Sequence, residues 1–287
     1  DLCGSCQRPG SCGFDRLSAF HLSQRARALI PANFIAVAEA AADRAAAVIR
    51  PLFRSALLVE AKGDASPVTR ADKEAEEAIR ALLAEALPEH GVIGEEHGSE
   101  RPDAEWVWVL DPIDGTRAFV TGRPIFGSLL GLLHRGKPVL GIIDQPITGE
   151  RWLGVAGQPT RFTGPFAGTP RCRPCASLAE AELSCTSPDM FSPANRPGFD
   201  RLRQAARRVT WGGDCYAYGL VALGLIDVVA ESDLKIWDWA ALVPVIEGAG
   251  GCVTDWSGAP LHPGSDGRVI ALGDARLLTE AVQLLRS

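Results

Sequence analysis

The chain has 287 residues, and its 29 Lys and Arg set against 35 Asp and Glu leave a formal charge of −6. An acidic chain without a basic block argues against nucleic acid as the main partner, so a phosphate ligand must be held locally. Hydrophobic residues make up 46% of the chain. That is enough for one large domain or two packed halves, while no apolar run is long enough to span a bilayer. Small phosphorylated metabolites suit such a protein better than polymers.

Asp1 to Ile30 mixes Cys, Gly, Ser and Arg without periodicity and does not begin with Met. It reads as a loosely ordered extension or an upstream translation artefact. From Pro31 the pattern becomes regular. Asn33 is placed to cap a helix through about Phe53, with Phe34, Val37, Ala41 and Val48 near one face. Thr69-Arg70-Ala71-Asp72 resembles a capping box and opens a second helix through Leu87. Ile79, Leu82, Leu83 and Leu87 form its apolar stripe, and its Glu, Lys and Arg positions are most simply a solvated face. Gly91-Val92-Ile93 is a short strand that ends at Gly94-Glu95-Glu96. Trp106 to Leu110 is another, leading into Asp111-Pro112-Ile113-Asp114-Gly115-Thr116.

Ile125 to His134 and Pro138 to Asp144 read as a hairpin turned by Arg135-Gly136-Lys137, with a further strand at Arg151 to Val155. The Gly-, Pro- and Thr-rich stretch from Ala156 to Pro174 is a surface connection and divides two halves, about 31–156 and about 175–287. Gly213 to Leu225 reads as a helix, Ile226 to Glu231 as a strand, and Asp238 to Glu247 as a helix closed by Gly248-Ala249-Gly250-Gly251. A strand at Arg268 to Leu272 and a helix at Asp274 to Leu285 complete the chain. Strands and helices alternate without a steady βαβ rhythm, which favours a layered α+β architecture.

The eight cysteines include two C-x-x-C pairs, Cys3/Cys6 and Cys172/Cys175. They are far apart and lie in no ribbon pattern, so free thiols in a reducing compartment are set against a structural zinc. A secreted disulfide framework is disfavoured by chain size and by the lack of a signal-peptide core.

The hexad Asp111 to Thr116 carries the chemistry. Two carboxylates three residues apart place hard oxygen ligands at one strand end. Pro112 stiffens the turn, Gly115 allows close backbone approach, and Thr116 brings a hydroxyl where free amides can face an anion. This composition suggests a divalent-metal phosphate site; the plainer alternative is an acidic turn with an Asx cap. Glu95 is a second carboxylate at a strand end. Asp238 lies between Trp237 and Trp239, where a bare acid is expensive to bury, and Asp72 follows Thr69. Asp238 and Asp72 can each be no more than helix caps. Together these acids suit Mg²⁺, which prefers oxygen ligands.

These motifs resemble the inositol monophosphatase superfamily of metal-dependent phosphatases. Gly94-Glu95-Glu96, the hexad, and Trp237-Asp238-Trp239-Ala240-Ala241 running to Gly251 match it in order and spacing, and Lys62 to Asp72 looks like its mobile metal-binding loop. The resemblance runs from about Phe34 to the C-terminus. It implies a layered αβαβα sandwich, a single phosphatase domain over 31–287, two or three Mg²⁺ ions, a homodimer and a cytoplasmic enzyme. It further implies that Glu95, Asp111 and the Ile113 carbonyl hold one ion, while Asp111, Asp114 and Asp238 hold another. Glu95 would also reach a third ion through water. Asp72 would accept from Thr116, which orients the attacking water, and the Gly115 and Thr116 amides would bind phosphate.

The substrate reading rests on Trp211-Gly212-Gly213-Asp214-Cys215-Tyr216-Ala217-Tyr218, an acid and two aromatics on a Gly-rich turn. In many sugar-phosphate members the acid position is small and uncharged. Asp214, with Glu231 at a matching contact position, suits a ligand bearing an amine or imidazolium. With Asp114 to Phe119, Gly141 to Pro146 and Glu150-Arg151-Trp152, this resembles the histidinol-phosphate phosphatase branch, which implies hydrolysis of L-histidinol phosphate in histidine biosynthesis. In the plainer reading Asp214 is an N-cap and the tyrosines are packing. The rivals are an inositol-1-phosphate or broad sugar-phosphate phosphatase and, in another class, a non-catalytic metal- or phosphate-binding regulator. Arg117-Ala118 departs from the Thr-Asn pair common in inositol-type members.

Overall fold

The computed structural model describes residues 30–56, 59–61 and 67–286. The N-terminal segment with Cys3, Cys6 and Cys12, and residues 62–66 of the expected metal-binding loop, lie outside the described residues.

Helix α1 spans Ala32–Leu52 and helix α2 spans Arg70–Ala86. The α1 N-cap is Pro31, without a side-chain cap, so Asn33 lies inside the helix rather than capping it. Pro31 is fixed in extended backbone at φ −53° and ψ 133° and starts the helix two residues sooner. Ala38, Ala41, Ala42, Ala45 and Ala46 are buried and make the apolar face wider and flatter than the valines suggest. Thr69 does cap α2: its hydroxyl accepts from the Ala71 amide, and Asp72 reaches back to the Thr69 amide. Glu76 departs from expectation. It is fully buried, 2.7 Å from Arg80, and accepts from the amides of Glu96 and His97. Helical periodicity places it on a solvated face, but the turn that follows the Gly91–Gly94 strand needs an acceptor there.

The main sheet has seven strands in the order β4 (Gly98–Glu100), β3 (Gly91–Gly94), β5 (Trp106–Asp114), β6 (Gly127–His134), β7 (Lys137–Gln145), β8 (Glu150–Val155) and β9 (Arg161–Thr163). Only β3 and β5 are parallel; the other neighbours are antiparallel. Along β5 alternate residues serve two cores. Trp108 and Leu110 face α1 and α2, while Val107 and Val109 face the molecular interior. The second sheet has five strands, β11 (Arg208–Trp211), β10 (Glu182–Cys185), β12 (Val228–Glu231), β14 (Val269–Leu272) and β13 (Cys252–Asp255). β10 is parallel to both β11 and β12. Val229 and Ala271 face the interior core, and Val228, Ala230, Ile270 and Leu272 face the outer one. A short antiparallel ribbon pairs β1 (Val59–Ala61) with β2 (Pro67–Thr69).

Between the sheets lie α5 (Asp214–Ala222), α6 (Ile236–Trp239) and α7 (Leu242–Gly248), while α4 (Arg196–Ala205) and α8 (Leu278–Arg286) cover the far side. A short helix α3 (Thr116–Val120) follows β5. The result is an α+β sandwich with layers αβαβα. The stretch expected as one helix from Asp238 is broken into α6 and α7, because Pro244 in a continuous helix would clash with the carbonyl of Ala240. The connection after Val155 carries an edge strand, β9, not loop alone. Among the described residues no helix is long and apolar enough to cross a membrane. Cys172 and Cys175 are buried free thiols, and neither joins a group of three metal-competent side chains there. Burial pushes Cys172 up to about 11, so its thiol stays protonated.

One packing device fixes the middle of the molecule. Gly131, Gly141 and Gly154 are cross-strand partners on β6, β7 and β8, forming a side-chain-free row. The backbone from Ala240 to Val245 lies against it. A Cβ added at Gly141 would fall on the Ala241 carbonyl, and one at Gly154 on the backbone of Pro244. Backbone cannot rotate away as a side chain can, so overpacking here is costly. Gly141→Ala is expected to lower stability by about 1–3 kcal/mol or more, read as a fall in Tm. A wild-type Tm would contradict this close approach.

Candidate active site

The acids come together at the C-terminal ends of strands. Asp111 and Asp114 close β5, Glu95 follows β3, Glu231 ends β12, Asp214 opens α5 after β11, and Asp238 lies in α6. Several parallel strands thus point their carboxyl ends at one crevice, where open sheets place ligands. Asp111, Asp114 and Asp238 each offer an oxygen, all within 4.8 Å of one another.

Each acid is held by one oxygen. Asp111 Oδ1 accepts from the Ile113 amide at 3.0 Å, Asp238 Oδ2 from the Lys235 amide at 2.6 Å, and Asp114 Oδ2 from the Cys215 amide. Asp72 Oδ2 accepts from both the amide and the hydroxyl of Thr69, leaving Oδ1 3.2 Å from the Thr116 hydroxyl. That hydroxyl is also 3.1 Å from the Ile113 carbonyl. It has one proton for two acceptors, so its lone pairs remain open to a water. Asp238 therefore caps a helix and also lines the crevice, while Asp72 caps a helix and reaches the crevice only through the Thr116 hydroxyl; the two readings are compatible. Glu95 is positioned indirectly. Its amide donates to Leu110, and Glu76 grips the next two amides, with Gly94 leaving no Cβ in the way.

Gly115 has φ 91°, a left-handed conformation that favours glycine, and a Cβ there would lie 2.8 Å from Asp214 Oδ2. Asp214 is the first residue of α5, not its N-cap; Gly213 holds that place, so the carboxylate is free of capping. Tyr218 donates to Glu231 at 2.8 Å, while the other Glu231 oxygen accepts from the Thr186 amide at 2.7 Å. Tyr216 turns away to Glu150 and belongs to packing.

Two connected hollows result. The inner one, about 110 Å³, is lined by Asp114, Tyr218, Glu231, Leu234 and Asp238. The outer one, about 430 Å³, is lined by Glu95, Gly115, Thr116, Arg117, Ser187, Asp189 and Asp233. Thr186, Met190 and Asp214 line both. The turn Thr186–Met190 after β10 is the part of the site that motif reading does not find. Its signal is local and weak: Ser187-Pro188-Asp189 is a turn tripeptide after a short strand.

The electrostatics follow from crowding. Burial, then the charges of Glu95, Asp114 and Asp238, hold Asp111 well above the usual carboxylate range. Burial, then Asp214 and Asp238, do the same to Asp114. Burial together with the Glu231 charge pushes Asp214 up to about 7, against Arg123 and Arg117. Burial also pushes Asp238 up to about 7, with Glu95 and Glu231 raising it and the Lys235 amide opposing. Among the described residues no Lys or Arg forms an ion pair with Asp111, Asp114 or Asp238. Clustered hard oxygens without a cationic side chain suit a hard divalent cation.

A carboxyl with a raised folded pKa is favoured in its neutral form by folding. The stability this gives is complete below its unfolded pKa, near 3.8, and is lost as pH rises through the folded value, about 7 for Asp214 and Asp238. A cation bound there replaces those protons. Added Mg²⁺ should therefore raise Tm more at about pH 8 than at about pH 5. Equal increments at both would contradict a cation on these acids.

Comparison with known proteins agrees with this geometry. Residues 31–286 match the model of the inositol monophosphatase family. The bifunctional phosphatase IMPL2, chloroplastic, of Arabidopsis thaliana is 45% identical, covering 88% of this chain and 75% of that protein. A histidinol-phosphatase of Mycobacterium tuberculosis is 38% identical, over 80% of this chain and 90% of its own. The structure of an inositol monophosphatase from Zymomonas mobilis superposes with a TM-score of 0.81 at 49% identity, covering 89% of this chain and 98% of that one. The chain belongs to the inositol monophosphatase family, and is a phosphatase of that family.

Proposed function

We propose that this protein is a Mg²⁺-dependent phosphomonoesterase that hydrolyses L-histidinol phosphate to L-histidinol and phosphate, acting as a homodimer with its single phosphatase domain starting at residue 31. The observation that carries the substrate is Asp214: a half-buried acid free of helix capping, against Gly115, sharing the inner hollow with Glu231. A polyol would hydrogen-bond these acids without relieving their repulsion from the metal ligands; a basic substrate also offsets their charge. The relatives named histidinol-phosphatase support this reading. An inositol-phosphate substrate is the second reading, favoured by the name of the 49% identical structure.

In this reading Glu95, Asp111, Asp114, Asp238 and the Ile113 carbonyl would hold Mg²⁺. Bound there, the metal supplies Lewis acidity to water and phosphate oxygens. The residues of the chain do the positioning. Thr116, tied to Asp72 and the Ile113 carbonyl, presents lone pairs to the attacking water. The Gly115 and Thr116 amides face the phosphate. Asp214 takes the substrate ammonium, and Tyr218 and the Thr186 amide keep Glu231 in place behind it.

The deciding measurement is kcat/KM on histidinol phosphate and inositol 1-phosphate in parallel with Mg²⁺. Histidinol phosphate should win, and Asp214→Asn should cut that preference by about tenfold or more. A higher kcat/KM on inositol phosphate would sink the assignment. Thr116→Ala should lower kcat by about 10²–10⁴ while leaving KM near wild type. Asp111→Asn and Asp238→Asn should abolish turnover, and retained activity in either would remove these acids from the metal site.

A further inference from the structure

We propose that Asp189 is a specificity-determining residue that receives the outer basic group of the substrate, the imidazole ring, while Asp214 receives the ammonium. This rests on the reading of the substrate as a basic phosphate ester and extends it to a residue outside the motifs.

Three observations carry it. Asp189 lines the outer hollow together with Gly115 and Thr116, but not the inner one, so it is within the hollow that a ligand leaving the phosphate pocket would enter. Its turn is held in place: the Ser187 hydroxyl accepts the Asp189 amide at 3.1 Å, and Arg196 donates to the Pro188 carbonyl at 2.9 Å. Its carboxylate has no hydrogen bond or ion pair among the described residues, although arginine is close in sequence. Arg196 is committed to Asp200, and the other exposed acid of the hollow, Asp233, is paired with Lys235 at 2.6 Å. Asp189 is thus the exposed acid of the outer hollow that has no cationic partner among the described residues. Arg117 also lines the outer hollow, so a cation and an acid without a cationic partner both reach the mouth, which suits a ligand with an anionic and a basic end. Histidinol phosphate carries two basic groups at different distances from the phosphate, and in this assignment Asp214 meets the inner and Asp189 the outer.

Three phosphate esters test this in the Mg²⁺-loaded enzyme: histidinol phosphate, with amine and ring; phosphoethanolamine, with amine alone; and glycerol phosphate, with neither. An exposed charge contact is modest, so Asp189→Asn should raise KM for histidinol phosphate about three- to tenfold with kcat kept. KM for the other two should not move. Asp189→Glu should restore most of the affinity. An unchanged KM for histidinol phosphate, or an equal rise for all three esters, overturns the role of Asp189. If instead the wild-type enzyme does not prefer histidinol phosphate to glycerol phosphate, the basic-substrate reading itself fails, and the inference with it.

Discussion

The contact on which the rest depends is backbone against bare sheet. Gly131, Gly141 and Gly154 clear a side-chain-free strip across β6, β7 and β8, and the chain from Ala240 to Val245 settles into it. Interiors are close-packed, so a strip of this kind fixes distance as well as contact. It sets how near α6 comes to β5, and hence how near Asp238 comes to Asp111 and Asp114. Pro244, in the first turn of α7, keeps that helix from running on continuously from α6, where Asp238 lies. A metal-type site tolerates little looseness in its donors, and here the tolerance is set by an apolar packing feature of the opposite strands.

Packed carboxylates repel, and burial raises the cost of their charge. The fold holds them by tying one oxygen of each acid to a nearby amide or hydroxyl. Asp111 uses the Ile113 amide, Asp114 that of Cys215, Asp238 that of Lys235, Glu231 that of Thr186, and Asp72 both groups of Thr69. Such bonds fix direction and partly offset the desolvation of the charged form. For Asp111, Asp114 and Asp238 the second oxygen is left for the crevice, whereas that of Glu231 takes the Tyr218 hydroxyl and that of Asp72 the Thr116 hydroxyl. The repulsion that remains is a store of cation affinity, because a divalent ion relieves at once the desolvation and the like-charge interaction of several groups.

How much of this the sequence shows varies with the kind of information each feature needs. The capping box at Thr69 and Asp72, the strand into Asp111 and the hairpin at Arg135-Gly136 are local and are found where patterning puts them. Glu76 reads as a surface residue because its partners, the amides of Glu96 and His97, lie twenty residues on in an unrelated turn. The strands β10 and β11, four residues each, show little periodicity, so the Thr186–Met190 turn they support is hidden with them. Asp214 can be taken for a helix cap until the backbone gives that place to Gly213.

The sequence by itself determined the reaction class, since hard ligands, a hydroxyl and a flexible glycine must be written next to one another for this chemistry to be local. It also named the remaining acids, because a carboxylate beside tryptophans or at the end of an apolar strand needs a reason to be there. Only the tertiary structure decided which of those acids meet, which oxygens are left for the crevice, and what else lines it. Those are questions of distance between segments up to a hundred or more residues apart, and such distances are set by packing, to which one-dimensional patterning is blind.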